Sequence, residues 1–481
     1  SPTFCLISGT SFSAPQVAGA VALIAQAFPT MTGQEIVSLL FETAQDVGDP
    51  GLDDIYGWGI LDIHEAFQPQ GTTTLASTGT SALPLSDNTV LGSPAMGDAL
   101  SAMSLETVVL DKYDRAFRHN LGFGMRGASV PRRLFGAVGQ QIRSVSLDSG
   151  KTALAFTLDR SEKSLPRRLP QELKLSLQDA EKARVLAARI ALRIAPEAQF
   201  GFAYAESADV LVAQMRGQDR PAFLVAREPG GDDGIFRQED FSVAFRRTFG
   251  SWGVTAFGES GAAVTGPQTE LAADWDSFRE HHSMHTLGFV IDRQFGSLET
   301  SLGLSWMDER RTVLGARFHD AFGGGGARTL FADASASWRF ADGWRLGGSL
   351  RKGWTYAGNG SLIGSGSYLA SDAWSLDLER RGLFFDADRI GFRIAQPVRV
   401  GRGGLNLNLP VSWSYETESA SFAMRTLSLS PEGREILGEL AWHSPLWGGS
   451  ASASLFYRRD PGHYAQVPDD AGLALRWMAE F

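Results

Sequence analysis

The period of the apolar positions changes once along the chain. Residues 14 to 28, APQVAGAVALIAQAF, are apolar nearly all round, which predicts a helix buried on every side. Pro15 falls where a first helical turn tolerates a missing N–H. Gly19 lowers helix stability by roughly 1 kcal/mol against Ala, so its presence predicts close approach of another backbone. Thr32 and Glu35 have the spacing of a capping box and open a second helix with Ile36, Leu39 and Leu40 on one face. Gly and Asp turns follow, then a short helix near His64 to Phe67.

From about residue 236 the period becomes two. In LETSLGLSW, Leu298, Leu302, Leu304 and Trp306 share one face while Glu299, Ser301 and Ser305 share the other. LFADASASWRF and LNLNLPVSW repeat the alternation, and LALRWMAEF ends the chain with Leu473, Leu475, Trp477, Ala479 and Phe481 on one face. A polar second face excludes a packed sandwich core. Strands of ~9 to 11 residues, with Trp306, Trp338, Trp413 and Trp442 near their ends, instead suit a membrane barrel of about 12 strands. Leu302, Leu407 and Leu475 are then expected toward lipid, and Ser301, Asn406 and Arg476 toward the lumen.

Between these regions, residues 68 to about 105 are rich in Thr, Ser, Gly, Pro and Ala and predict an extended linker. Val108 to Lys112 suits a strand, LFGAVGQQIRSVSL and TALAFTLDR have β character, and residues 172 to 195 admit either a helix from about Asp179 or a strand from about Arg189. The expected division is 1–67, a linker over 68–120, a β-rich connecting region over 121–235 that includes candidate first strands of the barrel, and the barrel over 236–481.

Composition narrows the classes. At 481 residues the chain exceeds one ordinary domain, and 20% charged residues with 54 glycines suit a β-rich protein. A net charge of -10, with no Lys/Arg cluster among aromatics, argues against nucleic acid as a partner. Cys5 stands alone, so neither an internal disulfide nor a thiolate metal cage is expected. No run of eighteen apolar residues occurs, which removes a spanning helix and leaves a barrel open. The first residue is Ser1 with no leader pattern, so the chain is expected to start mid-domain. HHSMH (His281, His282, His285) and PGGDDG (Pro229 to Gly234) are expected as solvated loops, because neither supplies a full ligand set for a metal.

SGTSFSAP carries the chemistry. It places Ser11 just ahead of the apolar helix, where free N–H groups and the positive dipole end converge and an oxyanion can be held. A serine attacking a carbonyl needs such donors and a base. The plainer alternative is that Ser11 or Ser13 is an N-cap, the commoner task of serine before a helix.

Gly9-Thr10-Ser11-Phe12-Ser13-Ala14-Pro15 resembles the nucleophile motif of the subtilisin-like serine proteases, and GLDDIYGWGILDIHEAF resembles the close of that domain. The resemblance implies that Ser11 is the nucleophile, that its own N–H supplies half the oxyanion hole, and that Gly9, Thr10 and Pro15 are structural. It implies a serine endopeptidase acting on peptide or protein substrates, with no cofactor and no metal. Gln16 stands where many members have His. In the family the catalytic Asp and His precede the Ser, as does the oxyanion-hole Asn. Those partners are therefore expected upstream of Ser1, His64 is expected as a surface or capping residue, and this chain is expected to be inactive by itself. The last strand resembles the terminal signal strand of outer-membrane barrels. Together the two ends resemble the subtilase-type autotransporters of Gram-negative bacteria. That implies an outer-membrane barrel, mainly β, preceded by the C-terminal α/β part of a subtilisin-like protease domain. It also implies a passenger at the cell surface or secreted, with outer-membrane lipid and the barrel-assembly machinery as partners. Two alternatives remain: a non-enzymatic outer-membrane translocator or anchor with a degenerate protease remnant, and a soluble all-β adhesin.

Overall fold

The capping box forms as its spacing predicts. The Thr32 hydroxyl accepts from the Glu35 N–H, and the Glu35 carboxylate accepts from the Thr32 N–H at 2.7 Å. That backbone donor, followed by the Thr32 hydroxyl, holds the Glu35 carboxyl below the usual range. The computed structural model describes residues 9–76, 83, 89–101, 103–130, 142–148, 152–159, 184–217, 223, 225–266, 279–385, 387–447 and 449–479. Cys5 and Phe481 lie outside the described residues, as does the side chain of Arg476.

The chain divides into two units. The first comprises Ser1–Asp87, Ser104–Gly124 and Asn408–Arg425. It contains α1 (Ser13–Ala27), α2 (Gly33–Glu42) and α3 (Ile63–Ala66), and its core is Ile24, Phe28, Ile36, Leu39, Leu40 and Ala66. Each such Leu, Ile or Phe, fully buried, contributes about 1.5–3 kcal/mol. Where composition predicts a linker, β1 (Thr74–Leu75), β2 (Glu106–Leu110) and β3 (Ala116–Asn120) pair antiparallel, with Leu75 opposite Val109 and Val109 opposite Phe117. The physical reason is local density: Val108, Val109 and Leu110 stand together in an otherwise small-residue stretch. Val108 and Leu110 are closed over by Trp413 and Ala420.

The second unit comprises Asn88–Met103, Met125–Leu407 and Thr426–Phe481. Its wall is one 16-stranded antiparallel sheet. In chain order the strands are β4 (Ile142–Asp148), β5 (Thr152–Asp159), β6 (Arg184–Ala195), β7 (Ala198–Tyr204), β8 (Arg237–Phe249), β9 (Trp252–Thr265), β10 (Glu280–Phe295) and β11 (Leu298–Glu309). Then follow β12 (Ala327–Ala341), β13 (Trp344–Ala357), β14 (Tyr368–Arg381), β15 (Arg389–Ser414), β16 (Ser419–Ser428), β17 (Ile436–Leu446), β18 (Gly449–Arg459) and β19 (Asp470–Ala479). Each strand pairs with the next except around β16, which pairs only with β15 while β15 also pairs with β17. Among the described residues no ladder joins β4 to β19. The ambiguous stretch before residue 195 is strand from Arg184 onward. Two-residue turns at 250–251 and 296–297, where Gly250 and Gly296 take φ of 59° and 60°, alternate with long connections at 205–236, 310–326, 358–367 and 460–469.

The wall is inside out. Leu302 is 67% exposed while its neighbour Ser301 is 9% exposed, and Leu350, Leu376, Leu473 and Leu475 likewise face outward. The covered face carries hydroxyl pairs between adjacent strands: Ser301 with Ser335 at 2.7 Å, Thr329 with Thr355 at 2.9 Å and Ser349 with Ser375 at 2.9 Å. Water would select the opposite arrangement; hydrocarbon selects this one. Exposed aromatics mark two levels: Phe249, Trp252, Phe295 and Trp338 near the short turns, Phe241, Trp306, Tyr356 and Tyr457 near the long connections. From Phe241 to Phe249 the chain counts ~9 residues, the length of a tilted crossing.

Two outward assignments differ from expectation. Trp413 is part of the first unit, and Leu407 is fully buried beside Leu405 and Leu409. β15 runs 26 residues, well beyond one crossing, and its middle part, up to Leu407, is covered by the 358–367 connection. There Leu407 pairs with Ile363, and Gly364 N–H donates to the Asn406 carbonyl at 2.7 Å. Trp442, on the face that carries Leu440, is half-buried.

The covered face also holds chain. α4 (Ala208–Met215) lays Leu211, Val212 and Met215 on Ala203 of β7 and Ala244 of β8. Gly201 is required there, since a Cβ would come 2.7 Å from a Leu211 methyl. PGGDDG is a connection but not a solvated one: Arg351 donates to the Gly230 and Asp232 carbonyls, both at 2.8 Å, and pairs with Asp233 and Asp333. HHSMH lies in β10, where His282 is buried against the Thr265 hydroxyl at 3.2 Å while His281 and His285 point outward. In a strand those two outward imidazoles are about 13 Å apart by rise alone.

Leu302→Arg is expected to lower the amount of folded, heat-modifiable protein in the outer membrane, since a cation on a lipid face costs ~2–4 kcal/mol near the midplane. Cysteines at positions 302 and 475 should react with a lipid-soluble maleimide in preference to a membrane-impermeant one. Full reaction of both with the impermeant reagent would mean a soluble sheet.

Candidate functional site

Gly9 is extended, and Thr10–Phe12 form one 3-10 turn, closed by Phe12 N–H to the Gly9 carbonyl at 3.0 Å, that feeds directly into α1. Ser11 sits in the middle of that turn and is exposed. Its hydroxyl caps neither helical start: the residue preceding α1 is Phe12, and no side-chain cap hydrogen bond is made there or at Gly9. Pro15 occupies the first turn of α1, where its missing N–H is no loss. Ser11 therefore lies at the positive end of a 15-residue helix with its side chain uncommitted to capping. His64 is exposed on α3.

Helix α1 is buried on one face only. Ala20 and Ile24 enter the core, while Phe12, Val17 and Leu23 are exposed, and nothing lies within 4 Å of a Cβ placed on Gly19. Val37, Phe41, Ile55 and Trp58 are exposed as well, with Phe41 and Trp58 stacked at 5.1 Å. Large apolar side chains exposed in this number suit a contact site better than a finished exterior.

Beneath α1 to α3 lies a buried cation that sequence reasoning did not single out. Arg115 is fully buried and pairs with Asp111 at 2.7 Å, where both side chains are 0% exposed. Its remaining donors go to the Ala66 carbonyl at 2.6 Å and the Gln68 carbonyl at 2.9 Å, the loose carbonyls at the end of α3. Its guanidinium carbon stands 4.9 Å from the Phe28 ring centre and 5.2 Å from that of Phe117. Asp111 is itself held by the Gln70, Tyr113 and Arg115 N–H groups. Phe28 also meets Phe67 at 5.7 Å and, edge to face, Tyr415 at 6.4 Å. At the rim Lys112 and Tyr113 both bind Glu42; the Lys112 hydrogen bond holds the Glu42 carboxyl below its ordinary value and raises the Lys112 ammonium above its own. The only signal in the sequence was the DKYDR run beside a candidate strand, which resembles any solvated charge cluster.

Residues 1–59 match the Subtilase family. The autotransporter lipoprotein NalP of Neisseria meningitidis is 44% identical over 80 residues, which is 16% of this chain and 7% of that protein. An extracellular serine protease of Serratia marcescens is 41% identical over 59 residues, 12% of this chain and 6% of its own length. The chain thus spans a small fraction of the relatives it matches. Among solved structures, a loop-deletion form of the outer-membrane protein OmpT of Vibrio cholerae covers 66% of this chain and 83% of its own, at 12% identity and a TM-score of 0.35.

Removing one partner of a buried ion pair costs about 3–5 kcal/mol. In Arg115→Met, amides of α2 and α3 are accordingly expected to exchange at least ~100-fold faster in hydrogen-exchange mass spectrometry. Unchanged protection would mean that Arg115 is not what closes α3.

Proposed function

We propose that this chain is the closing part of a surface-displayed subtilisin-type serine endopeptidase together with the outer-membrane barrel that carries it, and that Ser11 is the nucleophile. One observation carries the reading: an exposed serine, free of capping, on the turn that starts α1 inside the segment matching the Subtilase family. In acyl transfer its oxygen would attack the scissile carbonyl, and the N–H groups at the start of α1 would stabilise the developing oxyanion. The Asp and His that activate it would come from a preceding segment of the same protein, packed on the exposed apolar residues Phe12, Val17 and Leu23. That uncovered face supports a fold completed by more chain and speaks against a degenerate remnant.

The inside-out wall supports an outer-membrane location, with lipid against Leu302, Leu350 and Leu475 and the barrel-assembly machinery as the agent of insertion. Residues 1–67 are then the end of the protease domain, and the substrate is a peptide or protein. No cofactor or metal takes part in this chemistry.

A fluorophosphonate probe tests the site. The complete reading frame should be labelled at Ser11 and lose both label and peptidase activity in Ser11→Ala. The 481-residue chain alone should be slower by about 10⁴-fold or more, the loss that follows removal of triad members. Labelling of the 481-residue chain at full rate, abolished by Ser11→Ala, would overturn the assignment of the base to a preceding segment.

A further inference from the structure

The first unit is assembled from three stretches of chain. Its third stretch, Asn408–Arg425, is the far part of β15 and the start of β16, strands whose remaining residues belong to the wall sheet. We infer that residues 104–124 and 408–425 form a docking seat for α1 to α3, the occupant being this chain's own residues 9–76. The seat holds them after the backbone between them is cut.

Four kinds of contact join the occupant to the seat. The Arg115 guanidinium closes the end of α3 through the Ala66 and Gln68 carbonyls. A four-residue helix has no independent stability in water, so α3 depends on that donor. Phe28 at the end of α1 inserts its ring among Phe117 of β3 and Tyr415 of the hairpin, at 5.7 and 6.4 Å. Glu42 at the end of α2 takes Lys112 at 2.5 Å and the Tyr113 hydroxyl at 2.9 Å. Finally β1 adds a strand to β2, pairing Thr74 with Leu110 and Leu75 with Val109.

The two parts of the seat are tied to each other as well. Ala116 N–H donates to the Tyr415 hydroxyl at 3.0 Å, the Thr107 hydroxyl donates to the Pro410 carbonyl at 3.1 Å, and Trp413 packs with Val108 and Leu110. Tyr415 therefore touches both the occupant, at Phe28, and the other part of the seat, at Ala116. A ring in an aromatic cluster of this kind is a binding anchor when it sits at the centre of a desolvated patch. Crossing the bilayer takes ~9 to 11 residues, so the 26 residues of β15 leave length beyond a crossing for this seat.

Retention is measured without any enzymatic readout, so it can succeed or fail independently of the role proposed for Ser11; only the identity of the occupant as a protease end rests on that reading. A recognition site for a sequence-specific protease is inserted between residues 79 and 80 of the full 481-residue chain, purified in detergent with an affinity tag on the long connection at 460–469. After cleavage, the fragment carrying residues 1–79 is expected to remain on the tagged barrel through extensive washing. Tyr415→Ala should speed its release at least tenfold, and Tyr415→Phe, which keeps the ring and loses the acceptor for Ala116, should have a smaller effect in the same direction. Phe41→Ser, on the uncovered face, should leave release unchanged. Heat-modifiable migration confirms that each variant barrel is folded. Prompt loss of the fragment from the unsubstituted barrel would overturn the inference. So would equal retention in Tyr415→Ala, or release caused equally by Phe41→Ser.

Discussion

A strand that crosses hydrocarbon must give every backbone N–H and C=O to its neighbours and turn its apolar side chains outward, because no water is present to accept them. That constraint organises the larger unit. With Leu302, Leu350 and Leu475 committed to the outside, the pleat sends Ser301, Ser349 and Arg351 to the other face, and everything polar must be satisfied there. Small hydroxyls do so in pairs across adjacent strands. Charges do so by coupling: Arg246 grips Asp292 through both guanidinium ends at 2.6 and 2.8 Å, and Arg393 does the same with Asp377. Segments of chain complete the set, since Glu439 receives the Val225 and Ala226 N–H groups and Arg393 donates to the Ala226 carbonyl. Backbone at this depth is tolerable because protein, not lipid, surrounds it.

The core of the smaller unit is apolar in the ordinary way, with a buried ion pair at its centre. Arg115 and Asp111 are both fully removed from solvent, and a buried pair of this kind is worth keeping only where its remaining hydrogen-bonding capacity is used. It is used: the guanidinium spends its other donors on the end of α3, and Asp111 accepts from three backbone N–H groups. The pair thereby fixes where α3 ends, where residues 104–124 lie against it, and where Phe28 and Phe117 meet.

Much of this was legible in the sequence, and the parts that were not share a cause. Local pattern located α1 to α3, the capping box and the outward faces of β11 and β19, because each is written in neighbouring residues. It misplaced Trp413 and Leu407 because period two says which residues share a face and nothing about which solvent that face meets once a strand outruns the bilayer. Gly403 with φ of 103° marks the change, and its missing Cβ lets the backbone pass the Tyr368 carbonyl, which a Cβ would approach to 2.1 Å. The motif on which the proposal for Ser11 rests is seven consecutive residues. Arg115, Asp111 and Tyr415 gave no such signal: the Arg115–Asp111 pair is local, but DKYDR has the composition of a solvated surface, and the groups that bury it, Ala66, Gln68, Gln70 and Phe28, like the Ala116 partner of Tyr415, lie dozens to hundreds of positions away.

The segment from 68 to 120 shows why composition fails there in particular. A linker is diagnosed by its inability to bury a core of its own, and residues 68–105 carry few large apolar side chains with which to build one. Yet burial needs only one apolar side of an interface to be supplied locally. Thr74 and Leu75 add a strand to β2, and Ala76 enters a core whose other members are Val108, Leu110, Ala116, Trp413 and Ala420. A sequence poor in large apolar residues can therefore be ordered wherever a partner brings them. Here the partner is encoded more than three hundred residues later, in the surplus length of a strand whose first half is already explained by the membrane.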